Sequence, residues 1–366
     1  MNIGGRIREA LATRAAQYLS RATLLDGPLR GSGEPIRALF IGGWRFATYV
    51  QERMFAEPPR VLSRRIIPLT SVPRLVKVPR TAFDLCMAVT PLRYDATFHG
   101  LCDLRCQEDV RQIIDLRGTW EEIRQRFSKR KRQYVANLLP KRDFGYRTSH
   151  NLRDLERFYH EMHAPHIRRR YGDLAELDSY ETMRRWFGEG TLLFVSLDGQ
   201  DLAGALLVPR ADTLMYRRTG FVRDERDESG ANMPTLLYHF VIQFARSENF
   251  QRLDTMLSRS FLNDGVYRHK REWGAGVYPD VEAESWVYFF LRPRSATVAE
   301  FFRQNPLVIT EGQGLAGLLG RAETGEPTEA ERREIAKAYA APGLSRMMLL
   351  TPDAPPLIPV DLTPPA

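Results

Sequence analysis

TLLFVSLDGQDLAGALLVPRADTLMYRRTGF (191–221) decides the fold. LLFVSL and DLAGALLVP are apolar runs of strand length on either side of Asp198-Gly199. Asp-Gly tolerates the positive φ angles of a two-residue hairpin turn, so the two runs pair antiparallel. Ala211-Asp212 then turns the chain into TLMYRRTGF, which completes a three-strand antiparallel meander. Gly204, inside the middle strand, implies a bulge or the close approach of another backbone. A helix follows at 232–248, with Asn232 near its N-cap and Pro234 in its first turn. RLDTML (252–257) reads as a strand again, and strand–helix–strand implies a parallel crossover. A short helix (264–272) leads to the last strand of this group, ESWVYFFL (284–291).

Upstream, Thr119 and Glu122 form a capping box ahead of one long helix that Pro140 ends. Trp120, Ile123, Phe127, Tyr134 and Leu138 share one face. Arg124, Arg126, Lys129, Arg130, Lys131 and Arg132 lie around the others. A strand (144–149), a helix (152–165, stopped by Pro165) and another helix (179–190) precede the meander. Residues 1–30 read as a basic amphipathic helix, and 27–35 as a Gly/Pro-rich linker. Residues 57–80 read as loops with short strands, and 81–92 and 110–118 as strands. The C-terminal part shows one helix (329–340), capped by Thr328, and a Pro-rich tail.

The 366 residues allow two or three domains at roughly 100–200 residues each. With 43% hydrophobic and 27% charged residues, a mostly disordered chain is excluded. No uninterrupted apolar run approaches the roughly 18 residues of a membrane span. Three cysteines, Cys86, Cys102 and Cys106, exclude a disulfide scaffold and point to a reducing, cytoplasmic setting. Charge is localised. Arg117–Arg170 holds 15 Lys and Arg against 6 Asp and Glu, a net of +9, while the rest of the chain carries −1. Such a stretch suits an anionic partner, although a solvated helix face gives the same pattern.

The order meander, helix, parallel strand, short helix, strand resembles the core of the GNAT acyltransferase superfamily. SRSFLNDGVYRHKREWGA (258–275), SKRKRQYVANL (128–138) and RRYGD (169–173) resemble segments of its FemAB-like branch. That resemblance implies an α/β fold of two tandem GNAT-like modules, with mixed, mostly antiparallel sheets flanked by helices. The expected division is an N-terminal basic helix and linker (1–35), a first, degenerate module (36–118), a second module with the acyl-donor site (119–293) and a C-terminal helical extension with a Pro-rich tail (294–366).

It also implies an activated acyl donor, acyl-CoA or another carrier, held where two strands separate, with phosphates at a helix N-terminus. Gly230, Ala231 and Asn232 occupy the place of the superfamily's phosphate loop. The surrounding RDERDESGANMP (223–234) is rich in carboxylates and departs from that loop's pattern. Asp254, on a mostly apolar strand, is the candidate base, with a structural aspartate held by backbone or arginine as the alternative. Lys270, in the 258–275 motif, is the candidate oxyanion or phosphate partner, with an exposed helix lysine as the alternative, and Tyr267, one turn earlier, is the candidate acid, with a packed aromatic as the alternative. Lys129, Arg130, Arg132, Arg170 and Tyr171 are the candidate substrate-binding residues.

His160, His163 and His166 are spaced by three, but Pro165 takes the third off the helix face, and Cys102 and Cys106 lack a second pair. No metal is expected. The expected activity is acyl transfer to an amine or hydroxyl of a small, anionic acceptor. An aminoacyl-tRNA-dependent transferase of the FemAB type, with tRNA as partner, and a non-catalytic binding protein that keeps the fold stand as alternatives. Residues 1–25 could touch a membrane surface.

Overall fold

Asp198 and Gly199 both take positive φ, 50° and 80°, and the hairpin they close anchors the sheet around it. The computed structural model describes residues 18–77, 82–172, 175, 177–222, 231–291, 295–352 and 357–362. Its strands run β1 (Leu19–Pro28), β2 (Pro35–Ile41), β3 (Arg60–Pro68), β4 (Leu85–Pro91), β5 (Leu104–Cys106), β6 (Asp109–Asp115), β7 (Phe144–Ser149), β8 (Thr191–Leu197) and β9 (Gln200–Arg210). They continue as β10 (Thr213–Phe221), β11 (Arg252–Arg259), β12 (Gly276–Pro279), β13 (Ser285–Leu291), β14 (Leu307–Glu311), β15 (Gly314–Gly320), β16 (Leu344–Leu350) and β17 (Ile358–Asp361). The fold is mixed α/β. Its described residues form two compact units: the chain up to Val110 with Arg259–Tyr267 and Pro279 onward, and Arg111–Ser258 with Arg268–Tyr278.

The first unit has a six-stranded sheet in the order β3-β1-β2-β4-β13-β5 and a four-stranded sheet in the order β14-β15-β16-β17. β4 is buried on both faces. Leu85, Met87 and Val89 join one apolar cluster, and Cys86 and Ala88 another, as the two-residue period of a strand requires. β13 lies antiparallel between β4 and β5, with Val287 opposite Val89 and Cys106. ESWVYFFL was expected to end the meander's own module; its unbroken apolar run instead suits a central strand covered on both sides.

Three further expectations for this unit are corrected. Leu19–Pro28 is a strand paired antiparallel with β2 and β3, so sheet pairing overrides the helical spacing read there. The expected linker at 27–35 is the turn of that hairpin, closed by Pro28 opposite Pro35, with Gly31 and Gly33 at positive φ. Arg60–Pro68, read within a stretch of loops and short strands, is a single nine-residue edge strand. The helix expected across residues 1–18 falls almost wholly outside the described residues. The C-terminal part carries β14–β17 as well as its capped helix, Glu329–Tyr339.

The second unit has a seven-stranded sheet in the order β12-β6-β11-β10-β9-β8-β7. β8, β9 and β10 form the antiparallel meander, and β11 pairs parallel with β10. The crossover helix, Met233–Ser247, links the last two. Its Leu236, Leu237, Phe240, Val241 and Ile242 are buried against the sheet. Each such side chain contributes about 1.5–3 kcal/mol relative to exposure.

The expected single helix from 119 to 140 is two. Trp120–Gln125 ends before Ser128, whose hydroxyl accepts the Lys131 amide and starts the basic helix, Lys129–Leu138. Pro165 does not stop the preceding helix either. Leu152–Arg157 widens into a π turn at Phe158–His163 and resumes as Ala164–Tyr171. The wider turn accommodates a ring that has no amide hydrogen to give.

Glycines mark where this helical segment touches the meander. A Cβ on Gly204 would lie 2.9 Å from the Phe158 ring, and one on Gly220 would lie 2.7 Å from the His163 backbone nitrogen and 2.8 Å from the Met162 carbonyl carbon. The Gly220 contacts are backbone atoms, which cannot rotate away. Gly220→Ala is expected to lower unfolding free energy by about 1–3 kcal/mol in urea titration. Gly188→Ala, which meets nothing within 4 Å, is expected to stay within about 0.5 kcal/mol of the parent.

Candidate active site

β10 and β11 share only three parallel pairs, Thr213–Met215 with Arg252–Asp254. Beyond them the strands separate. β10 stays with β9 but bulges at Arg217, where the register shifts between Tyr216 and Arg218. β11 stays with β6: Thr255 Oγ1 donates to the Gln112 carbonyl at 2.7 Å, and Ser258 Oγ to Gln112 Oε1 at 2.7 Å. At the mouth of this opening, Met256 takes φ of 63°. A non-glycine residue in that region costs about 1 kcal/mol or more, so the surroundings must hold it.

Two of the three residues expected to be catalytic do so. Asp254 is 4% exposed. One of its carboxylate oxygens accepts the Met256 amide at 2.8 Å, and the other accepts the Arg111 guanidinium at 2.8 Å. Lys270 is also 4% exposed, so it is not the exposed helix lysine that stood as the alternative. It donates to the carbonyls of Met256 at 3.1 Å and Leu257 at 2.8 Å. Met256 is thus gripped at its amide by an aspartate and at its carbonyl by a lysine. Tyr267, on the helix Gly265–Glu272, belongs to the first unit. Its ring is fully buried and its amide donates to Asp264 at 3.1 Å.

Gly230 lies outside the described residues. Ala231 is buried, and Asn232 caps the crossover helix by accepting the Thr235 amide at 2.9 Å. The Asn232 amide donates to the Tyr134 hydroxyl, the Leu236 amide to the Asn232 carbonyl, and Pro234 has none to give. A phosphate arriving here meets a first turn whose donors at these positions are already engaged.

The five expected substrate-binding residues are dispersed. Lys129 is exposed. Arg130 makes a two-pronged ion pair with Glu272 at 2.7 and 2.8 Å. Arg132 donates to the carbonyls of Gln125 and Phe127, closing the end of the preceding helix. Arg170 is exposed in the last turn of Ala164–Tyr171; the side chain of Tyr171 lies outside the described residues.

The sequence reading passed over Lys131, which is 5% exposed. Its ammonium lies 2.8 Å from Thr235 Oγ1, 3.3 Å from His269 Nδ1 and 3.6 Å from Glu272. An ammonium only donates, so His269 Nδ1 accepts and the neutral ring carries its proton on Nε2. That Nε2 is buried with no hydrogen-bond partner among the described residues. Burial, and then the charges of Lys131 and Lys270, push the His269 pKa down to about 3.

Tyr238 ties this cluster to both strands. Its ring lies 4.7 Å from His269 and 5.1 Å from Tyr216 of β10, and its hydroxyl lies near Thr255 of β11. The cluster therefore sets a charged ammonium against a neutral imidazole behind Tyr238, a pairing able to stabilise negative charge. A signal was present in the sequence: Lys131 falls four residues after Phe127 and three before Tyr134, inside the apolar stripe.

The three histidines spaced by three go to different neighbours. His163 Nδ1 bonds the Thr219 carbonyl at 2.7 Å, His166 packs on Phe221, and His160 stacks on Tyr180.

No protein-family model matches the chain, and no curated protein matches it. Among solved structures it is similar to FemX, at 14% identity and a TM-score of 0.39, over 74% of this chain and 84% of that one. It is similar to L-PGS from Bacillus licheniformis at 9% identity and a TM-score of 0.37, over 73% and 83%. A putative GNAT-family acetyltransferase from Novosphingobium aromaticivorans gives 10% identity and a TM-score of 0.29, over 61% and 82%.

Asp254→Asn keeps an acceptor for Met256 but removes the carboxylate charge from the buried ion pair with Arg111. Its expected cost is about 3–5 kcal/mol by urea unfolding. Lys270→Met, which leaves two strand carbonyls without their donor, is expected to cost about 1–3 kcal/mol.

Acid should act through the buried histidines. The pKa values of His166 and His239 are lowered to about 4 and that of His269 to about 3, all chiefly by burial. Below the ordinary histidine pKa of roughly 6.5 the unfolded chain binds protons that the folded chain refuses. Stability from these groups is therefore complete above that pH and falls as the pH drops toward 4. Urea midpoints at neutral and mildly acidic pH should show this loss, and His269→Gln should make it shallower.

Proposed function

We propose that the second unit is an acyltransferase in which an amine or hydroxyl attacks an activated carbonyl seated between β10 and β11. The observation that carries this reading is the separation of those strands after only three pairs, with Met256 held in a strained conformation at its mouth. A gap in a parallel ladder leaves backbone donors and acceptors facing an extended ligand instead of a neighbouring strand.

In the reaction the nucleophile bonds to the acyl carbon and the carbon–sulfur or carbon–oxygen bond of the donor breaks. The nucleophile's proton ends on the departing thiolate or alkoxide. Negative charge grows on the acyl oxygen, and the His269 Nε2–H is the donor assigned to it, with the charge of Lys131 behind the ring. Asp254 and Lys270 act as positioning residues, because through Met256 they fix the shape of the opening. Positioning and a preorganised donor set are the two contributions such a site makes to rate.

The donor's carrier is read from the crossover helix. The amides of Asn232, Thr235 and Leu236 are engaged internally, which favours an aminoacyl ester of tRNA over a pyrophosphate-bearing thioester. Exposed Lys129 adds positive surface for a polyanion.

The test offers the purified chain a set of acyl-CoAs and a set of aminoacyl-tRNAs, with small amines and hydroxy compounds as acceptors. Thiol release and acceptor-dependent deacylation are followed in parallel. Lys131→Gln is expected to reduce turnover by about 10²–10³ while leaving the fold intact, since Glu272 keeps its Arg130 partner. Donor binding without turnover in either set would reduce the chain to a binding protein, and unchanged turnover in Lys131→Gln would remove that residue from the reaction.

A further inference from the structure

The flank of the crossover helix carries two buried polar groups that acyl transfer does not use. A cavity of about 270 Å³ lies between that helix, the helix Trp120–Gln125 and the basic helix. Its walls are mainly apolar: Trp120, Phe127, Val135, Leu139 and Trp273. Two polar groups in this lining have no counterpart. His239 is buried and its Nε2 has no hydrogen-bond partner among the described residues; the indole N–H of the fully buried Trp273 has none either. A buried polar atom left without a partner is destabilising, and two in the lining of one cavity ask for an occupant.

Charge narrows the choice. Three cationic side chains line the cavity, Arg124, Lys131 and Arg132. Lys131 is engaged with Thr235, His269 and Glu272, and Arg132 with two carbonyls. Arg124 is exposed and has no ion pair or side-chain hydrogen bond among the described residues. Its charge reaches His239, whose pKa it helps burial to lower. One uncommitted cation and two unpartnered ring nitrogens suit a single negative charge with hydrogen-bonding oxygens, not a phosphate dianion. The walls suit a flat or slender apolar body, and the volume is at the small end for ligand sites. Trp120 and Gln243 also line an open groove of about 690 Å³, which gives an access route from solvent.

We propose that this cavity binds a compact monocarboxylate with an apolar body, its carboxylate taken by Arg124 and by the ring nitrogens of His239 and Trp273, its body packed between Trp120 and Phe127. Lys131 lines this cavity and also belongs to the acyl-transfer reading, but none of the groups that take the carboxylate has a part in that reading.

Intrinsic tryptophan fluorescence and titration calorimetry with benzoate and hexanoate test it on the full chain, with benzamide and inorganic phosphate as comparisons. Saturable binding of either carboxylate is expected, with benzamide and phosphate at least about tenfold weaker. Arg124→Gln should weaken the carboxylate by about tenfold or more without moving the melting temperature of the free protein, because the residue is exposed. His239→Phe removes a buried unpartnered atom, so it should melt no lower than the parent while losing the carboxylate-induced rise in melting temperature. Benzamide or phosphate binding as tightly as benzoate, an unaltered affinity in Arg124→Gln, or no saturable carboxylate binding at millimolar concentration would each overturn the proposal.

Discussion

The grip on Met256 is the constraint from which the second unit's opening follows. A strand that stays beside its parallel neighbour needs no such device, because ladder hydrogen bonds satisfy each residue in turn. β11 gives up β10 after Asp254 and commits to β6, and the transition is made at one residue with positive φ. Asp254 and Lys270 satisfy the backbone groups that this conformation turns away from the sheet. Both are charged and nearly buried, and an unpaired charge there would be costly; Arg111 and the two carbonyls supply the compensation. Strain at the mouth and charge behind it are therefore two sides of one local solution.

The basic stretch is less of a free electrostatic surface than its count suggests. Arg130 is spent on Glu272, Arg147 on Asp154 and Asp201, Arg157 on Asp201, and Arg126 and Arg132 on backbone carbonyls. Several of these contacts tie one element to another within the unit, so guanidinium groups serve as forked connectors. Lys131 is the exception in kind. It is drawn into the interior, where burial first and its charge second keep the adjacent imidazole neutral.

What the sequence made legible was local chemistry. Asp198-Gly199, the meander, the Asn232 cap and the parallel return of β11 all follow from turn residues and short apolar runs, whose physics is settled within a few positions. Elements decided by partners far along the chain were not legible. Leu19–Pro28 becomes a strand because β2 and β3 flank it, and Ser285–Leu291 joins β4 and β5 rather than the meander. At the site, the motif at 258–275 led to Lys270 but not to its burial. Lys131 and His269 were hidden because a lysine in a run of four basic residues looks solvated; only its register with Phe127 and Tyr134 sets it apart.

The position of β13 bears on how the chain reaches its native state during synthesis. β4 emerges from the ribosome early, yet its neighbour in the finished sheet is made about 200 residues later, a sequence separation that slows folding. Until then a centre strand apolar on both faces has an open edge. The intervening segment, Arg111–Ser258, contains nearly all of the second unit's meander and crossover and can begin to order in the meantime. The first unit's six-stranded sheet therefore closes only after most of the second unit has been made, and until then its half-made form is exposed to chaperones and to aggregation.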